Sequence, residues 1–151
     1  MTEDLGDLYQ EVILEHNKSP RNFKRMEQAN HHAEGYNPMC GDRCQVYIDM
    51  DGDAIKEISF QGSGCAISRA SASMMTQMLK GKSKEEAVKL FEQFHEMVTG
   101  EKTAEEQAGE LGKLKVFSGV SKFPARVKCA TLAWHTLQSA LDGKPNPIVK
   151  E

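Results

Sequence analysis

Apolar residues first recur at helical spacing near the N-terminus, where Leu5, Leu8, Tyr9, Val12 and Ile13 fall on one face. The spacing predicts a helix from about Asp4 to His16, interrupted by Asn17 and Pro20. A polar connection through Asn30, His31, His32 and Gly35 then leads to NPMCGD. From Gln45 the period becomes two, with Val46, Ile48 and Met50 on one side. After Asp51, Gly52 and Asp53 the run Ala54 to Phe60 follows, with Ile55, Ile58 and Phe60 as the positions to be buried. These two runs predict a β-hairpin turning at Asp51-Gly52.

The stretch QGSGC ends that alternation. Ile67, Ala70, Ser71, Met74, Met75, Met78 and Leu79 fit a helix that stops near Lys80-Gly81. Ser83, with Glu86 three residues on, has the spacing of a capping box for a helix carrying Ala87, Leu90, Phe91, Phe94, Met97 and Val98. TGEKTAEEQAGE is too polar for a core element and is read as a solvated link. Leu111, Leu114 and Phe117 suggest a short helix. Pro124 suits the start of a last helix, whose stripe is Val127, Ala130, Trp134, Leu137 and Leu141. An antiparallel hairpin with this many amphipathic helices predicts an α+β fold, a small antiparallel β-sheet covered by helices.

The chain has 151 residues and a formal charge of −3, enough for one domain over 1–151 and no more. That charge argues against binding nucleic acid or an acidic membrane surface. MTEDLGDLYQEV lacks the basic and apolar regions of a signal peptide, so the expected location is cytoplasmic. In a reducing compartment, cysteines near polar turns are better ligands or nucleophiles than staples.

The four cysteines are Cys40 and Cys44 in NPMCGDRC, Cys65 in GSGC and Cys129 in RVKC, and Asp42 stands two residues after the first. Loop and helix ends carrying Cys40, Asp42, Cys65 and Cys129 can converge despite their separation in sequence. Three thiolates and a carboxylate match the donors of tetrahedral zinc, and the same set can hold an iron-sulfur cluster. Cys40, on a turn containing Pro38 and Gly41, is the most exposed ligand position and the candidate nucleophile toward a persulfide. Asp42 is a harder ligand than thiolate and permits exchange. Gly62 and Gly64 allow backbone to approach Cys65, and Lys128 stands where it can lower a neighbouring thiolate pKa.

NPxCGD near the first predicted strand, GxGCAIS before the Met-rich helix and FPARVKCATLAW near the C-terminus resemble the SufU branch of the IscU/NifU-type iron-sulfur assembly family. The resemblance spans nearly the whole chain. It implies a SufE/IscU-like α+β protein that binds zinc and accepts persulfide sulfur from a SufS-like cysteine desulfurase, for delivery to a downstream iron-sulfur scaffold. In scaffold relatives the same site assembles a transient [2Fe-2S] cluster, and a purely structural zinc module is a third reading. Carried over, it places Cys40, Asp42, Cys65 and Cys129 at the metal, with Cys40 as the persulfide acceptor. Scaffold-type members have histidine immediately before the last cysteine, whereas this chain has Lys128. The segment TGEKTAEEQAGELGKLK resembles the insertion of SufU-like members. Both features favour the zinc-dependent sulfurtransferase.

Other residues receive structural readings. Cys44 is assigned to strand packing, on a side of the strand facing away from Cys40 and Asp42, with accessory sulfur chemistry as the alternative. His31 and His32 lie in polar connecting sequence, and His16, His95 and His135 fall within helical patterns, which makes all five weak ligand candidates. Met74, Met75, Met78 and Trp134 are read as core. Arg126 is divided between a partner contact and a surface ion pair.

Overall fold

In the computed structural model, which describes residues 11–38, 41–101 and 111–143, the segment from His31 to Ser63 forms an antiparallel meander. Its strands are β1 (His31–Asn37), β2 (Asp42–Asp51) and β3 (Ala54–Ser63), in the order β1-β2-β3. Asp51 pairs with Ala54 across a two-residue turn, and Gly52 takes the left-handed φ of +64° that the hairpin requires. Val46 and Ile48 of β2, with Ile58 and Phe60 of β3, present an apolar row that is 2% exposed or less.

Helices cover that row. Residues 11–18 form the described part of α1, followed by α2 (Ala66–Leu79), α3 (Lys84–Val98), a 3-10 segment (Gly112–Lys122) and α4 (Pro124–Leu141). The α4 helix lies across β1 and β2, and α2 lies against β3 and α4. On α3 the capping box forms as its sequence predicts: the Glu86 amide donates to Ser83 Oγ at 3.0 Å and the Ser83 amide to Glu86 Oε1 at 2.9 Å. Leu111, Leu114 and Phe117 are fully buried around the 3-10 segment. Trp134 and the methionines Met74 and Met75 are core, as expected. Among the described residues no helix is long and apolar enough to cross a membrane.

The polar connection expected through His31, His32 and Gly35 is instead the edge strand β1. Its inward positions are Ala33, Gly35 and Asn37, too small or too polar to advertise a buried face. They are small because α4 sits directly above: a Cβ on Gly35 would lie 2.0 Å from Thr136 Oγ1. Both hairpin strands also run further than their alternation suggests, so Asp42 opens β2 rather than preceding it and Gln61–Ser63 belongs to β3. The start of the expected first helix and residues 102–110 of the expected link lie outside the described residues.

A buried polar contact anchors α1. His16 is 5% exposed, and its Nδ1 lies 2.7 Å from Ser73 Oγ on α2. The same oxygen accepts the Arg21 amide at 2.8 Å, so the hydroxyl proton is available to a neutral imidazole. Burial lowers the His16 pKa from its ordinary 6.5, and the Arg21 charge adds to this. Ser73→Ala leaves the ring and the amide without their partner, so unfolding free energy should fall by about 1–3 kcal/mol in urea titrations. The unfolded chain takes up the imidazole proton more readily than the folded one. This contribution is therefore full above the ordinary histidine pKa and is lost as pH falls through it. Urea midpoints measured between about pH 8 and pH 5.5 should decline less steeply in His16→Gln than in the parent.

Candidate metal centre

Three of the four residues expected to hold a metal meet at one end of the sheet. Asp42 starts β2, Cys65 immediately precedes α2, and Cys129 lies in the second turn of α4. One ligand atom from each lies within 4.8 Å of the others. Cys40 lies outside the described residues.

Local sequence explains why these ends converge. The Gly41 amide donates to Asn37 O at 2.8 Å, closing the β1–β2 turn, and Gly41 adopts a φ of +78° that a side chain would resist. Asp42 is then delivered to the inner face, 3% exposed. A Cβ at position 62 would fall 2.2 Å from Arg43 O, so Gly62 lets β3 pass close to β2. One at position 64 would fall 2.7 Å from Asp42 Oδ1, so Gly64 leaves the carboxylate its space beside Cys65. The Cys65 amide donates to Asp42 Oδ1 at 3.2 Å, and Cys65 Sγ is 3.9 Å from Oδ2. Cys65 is the N-cap of α2 and uses no side-chain cap bond, which leaves its sulfur to the site.

The helix bearing Cys65 is fastened to the helix bearing Cys129. Ser71 Oγ donates to Ala130 O at 2.5 Å and accepts the Trp134 indole N–H at 3.1 Å, both in the buried α2–α4 interface. Ser71 stands among apolar positions in the sequence, and that intrusion was the one sign of its bracing role. The Asp42 contact with the Cys65 amide left no sign beyond the two glycines that make room for it.

Cys65 and Cys129 perturb each other in opposite directions. Donation from the Cys129 thiol brings Cys65 down from 9.0 to about 6 against the opposing effect of burial, and the nearby N-terminal amides of α2 at Ser68 and Ile67 further favour its thiolate form, although no side-chain cap bond is formed. Cys129 is pushed up by the same bond and by burial. The leading contributions come from this partner and from helix amides rather than from Lys128, the cation expected to act here. Arg126 is exposed and forms no ion pair among the described residues.

Cys44 corrects one expectation and fulfils another. Residues two apart on a strand share a face, so Cys44 points to the same inner side as Asp42 rather than away from it. It lies one row deeper, 3% exposed in the apolar core, where burial raises its pKa to about 12. It is a packing residue.

Two thiols and a carboxylate are donors that zinc accepts. Tetrahedral zinc holds its ligand atoms about 3.3–3.8 Å apart, so contraction by an ångström closes the observed cluster. The donor set therefore fits a metal, and no other group of three such ligands converges among the described residues.

The family profile described as NifU-like N terminal domain matches residues 8–142. The chain is 43% identical to "Zinc-dependent sulfurtransferase SufU" of Bacillus subtilis (strain 168), over 91% of this chain and 92% of the relative. It is 42% identical to "Iron-sulfur cluster assembly scaffold protein IscU" of Streptococcus pyogenes serotype M1, over 94% of this chain and 87% of that one. Among solved structures it is similar to a SUF-system protein of Fervidobacterium islandicum AW-1, titled as a candidate iron-sulfur cluster assembly scaffold. The TM-score is 0.80 and the identity 37%, covering 87% of this chain and 94% of that one. With the fold, the three converging side chains and these likenesses together, the chain belongs to the NifU-like N-terminal domain family.

Proposed function

We propose that this chain is a zinc-dependent sulfurtransferase, taking persulfide sulfur from a cysteine desulfurase and passing it toward iron-sulfur cluster assembly. The observation that carries the reading is the meeting of Asp42, Cys65 and Cys129 within 4.8 Å, on a chain similar to a zinc-dependent sulfurtransferase. In this reading a single domain over residues 1–151 does the work, with Cys40 as the fourth ligand and the sulfur acceptor. Covalent geometry supports its inclusion: two Cα–Cα steps of about 3.8 Å keep its Cα within roughly 7.6 Å of that of Asp42.

Bound zinc would keep the thiolates deprotonated and ordered. The transfer itself belongs to sulfur. The Cys40 thiolate attacks the outer sulfur of the donor persulfide, the donor S–S bond breaks, and its electron pair leaves on the donor cysteine as thiolate. Cys40 is left as a persulfide, and no outside oxidant is consumed. Cys65, low in pKa at the start of α2, and Cys129, buried on α4, stay behind as anchors.

The scaffold reading has support in the similar protein named as an IscU scaffold, whose identity differs by a single percentage point. Lys128 tips the choice: a lysine before Cys129 replaces the imidazole that scaffold-type members carry at that place. The partners are then a cysteine desulfurase and a downstream scaffold. Purification under anaerobic conditions, followed by incubation with a desulfurase and labelled cysteine, should give about one zinc per chain and one labelled sulfur on the protein. Stoichiometric iron with retained sulfide would move the function to the scaffold, and zinc without sulfur uptake would make the metal purely structural.

A further inference from the structure

On the side of the molecule formed by α3 and α4, His95 and His135 line an open cleft of about 420 Å³ and meet edge-to-face. Their ring centroids are 6.0 Å apart. Phe91 completes the floor, with its ring edge-to-face to His95 at 6.1 Å and to His135 at 5.1 Å, and it stacks in turn on the fully buried Trp134 at 6.0 Å. Both imidazoles are thus held against a rigid aromatic surface instead of moving freely in solvent. Two carboxylates, Glu92 and Glu96, line the same cleft. Glu92 precedes His95 by three residues, a spacing that puts carboxylate and imidazole on one helix face.

We propose that this cleft is a second metal site, which takes a borderline divalent transition ion through the imidazoles of His95 and His135 with a carboxylate from Glu92 or Glu96. Two imidazoles on one ion, at metal–nitrogen bonds of about 2.0–2.1 Å and a ring radius near 1.2 Å, place their centroids roughly 5–6.5 Å apart. The observed 6.0 Å lies toward the wide end of that span, and because the rings meet edge-to-face with His135 Nε2 buried, side-chain rotation rather than movement of either helix must bring one nitrogen of each ring to the ion. Imidazole with carboxylate suits zinc, cobalt or nickel and disfavours the hard ions magnesium and calcium. Three ligand atoms do not yet converge here as they do at Asp42, Cys65 and Cys129, so a carboxylate must swing inward and the ion is held more weakly than at the thiolates. The sites are separate: His135 is six residues along α4 from Cys129, about 9 Å of helix rise and on another face.

The test titrates cobalt(II) into the full chain already carrying zinc at its thiolates. One further equivalent should bind with ligand-field absorption and no sulfur-to-cobalt charge-transfer band, and magnesium should not compete. His95→Ala and His135→Ala should each weaken it more than about tenfold, and Glu92→Gln less. Sulfur acceptance at the first site should be unchanged. In the parent chain, ring proton resonances of two of the five histidines should broaden together as cobalt is added, a readout that needs no variant to fold. The proposal is overturned by any of three results: no added equivalent, an equivalent unaffected by both histidine variants, or a spectrum dominated by thiolate charge transfer.

Discussion

Cys129→Ser should release the metal and much of the stability that comes with it. Cys129 is 4% exposed, its sulfur lies within 4.8 Å of the Asp42 and Cys65 ligand atoms, and its helix is fixed to α2 through Ser71. A serine hydroxyl keeps its proton at neutral pH and does not replace a thiolate on zinc. Four-ligand zinc sites bind with roughly 10–16 kcal/mol, and one quarter of that, about 2.5–4 kcal/mol, is two to three orders of magnitude in affinity. Competition against a chromophoric chelator should show that loss directly. Because the metal binds only the folded chain, the zinc-dependent rise in melting temperature should shrink by the same free energy, while the metal-free forms of parent and variant melt close together. Zinc retention equal to the parent in the folded variant would remove Cys129 from the ligand set.

Much of this fold is legible in the sequence because its largest signals agree. Periodicity, the Ser83–Glu86 capping box and Pro124 at the first turn of α4 all coincide with structural boundaries. What escaped was β1, where tertiary packing replaced a hydrophobic pattern with small residues: Gly35 exists to admit Thr136, and a glycine carries no hydrophobicity to read. The convergence of Asp42, Cys65 and Cys129 is legible for a related reason. Cys65 and Asp42 sit at strand and helix ends, where turn-forming residues mark a break in period. The side of the strand that Cys44 faces follows from alternation alone, since Asp42 and Cys44 are two apart, and the contrary expectation overlooked that β2 already includes Asp42. The pairing of His95 with His135 was not readable, because it depends on how α3 and α4 pack rather than on either helix pattern.

Cys40→Ser should abolish sulfur acceptance while leaving the fold. Position 40 falls in the sequence between Pro38 and Gly41, and the Gly41 amide that follows it donates to Asn37 O, so a serine there leaves the described core contacts of α2 and α4 untouched. Of the remaining cysteines, Cys44 is sealed in the core with its pKa pushed up to about 12, and Cys129 is buried with its pKa raised by its contact with Cys65 and by burial. Cys65 is the competitor: half-buried, with a pKa of about 6 in the metal-free chain, it is chemically able to attack a persulfide. In the proposed reading zinc would engage Cys65 and Cys40 alike, and Cys65, fixed at the N-terminus of α2, would stay on the ion while Cys40 is released to attack. Labelled sulfur from a desulfurase, located by peptide mass spectrometry, should therefore appear on Cys40 in the zinc-loaded parent and nowhere in Cys40→Ser. Cys44→Ser, which places a hydroxyl in the core, should lower stability and leave the label in place. Label on Cys65 in zinc-loaded Cys40→Ser, at the parent rate, would transfer the acceptor role to the helix N-terminus and leave Cys40 only a ligand.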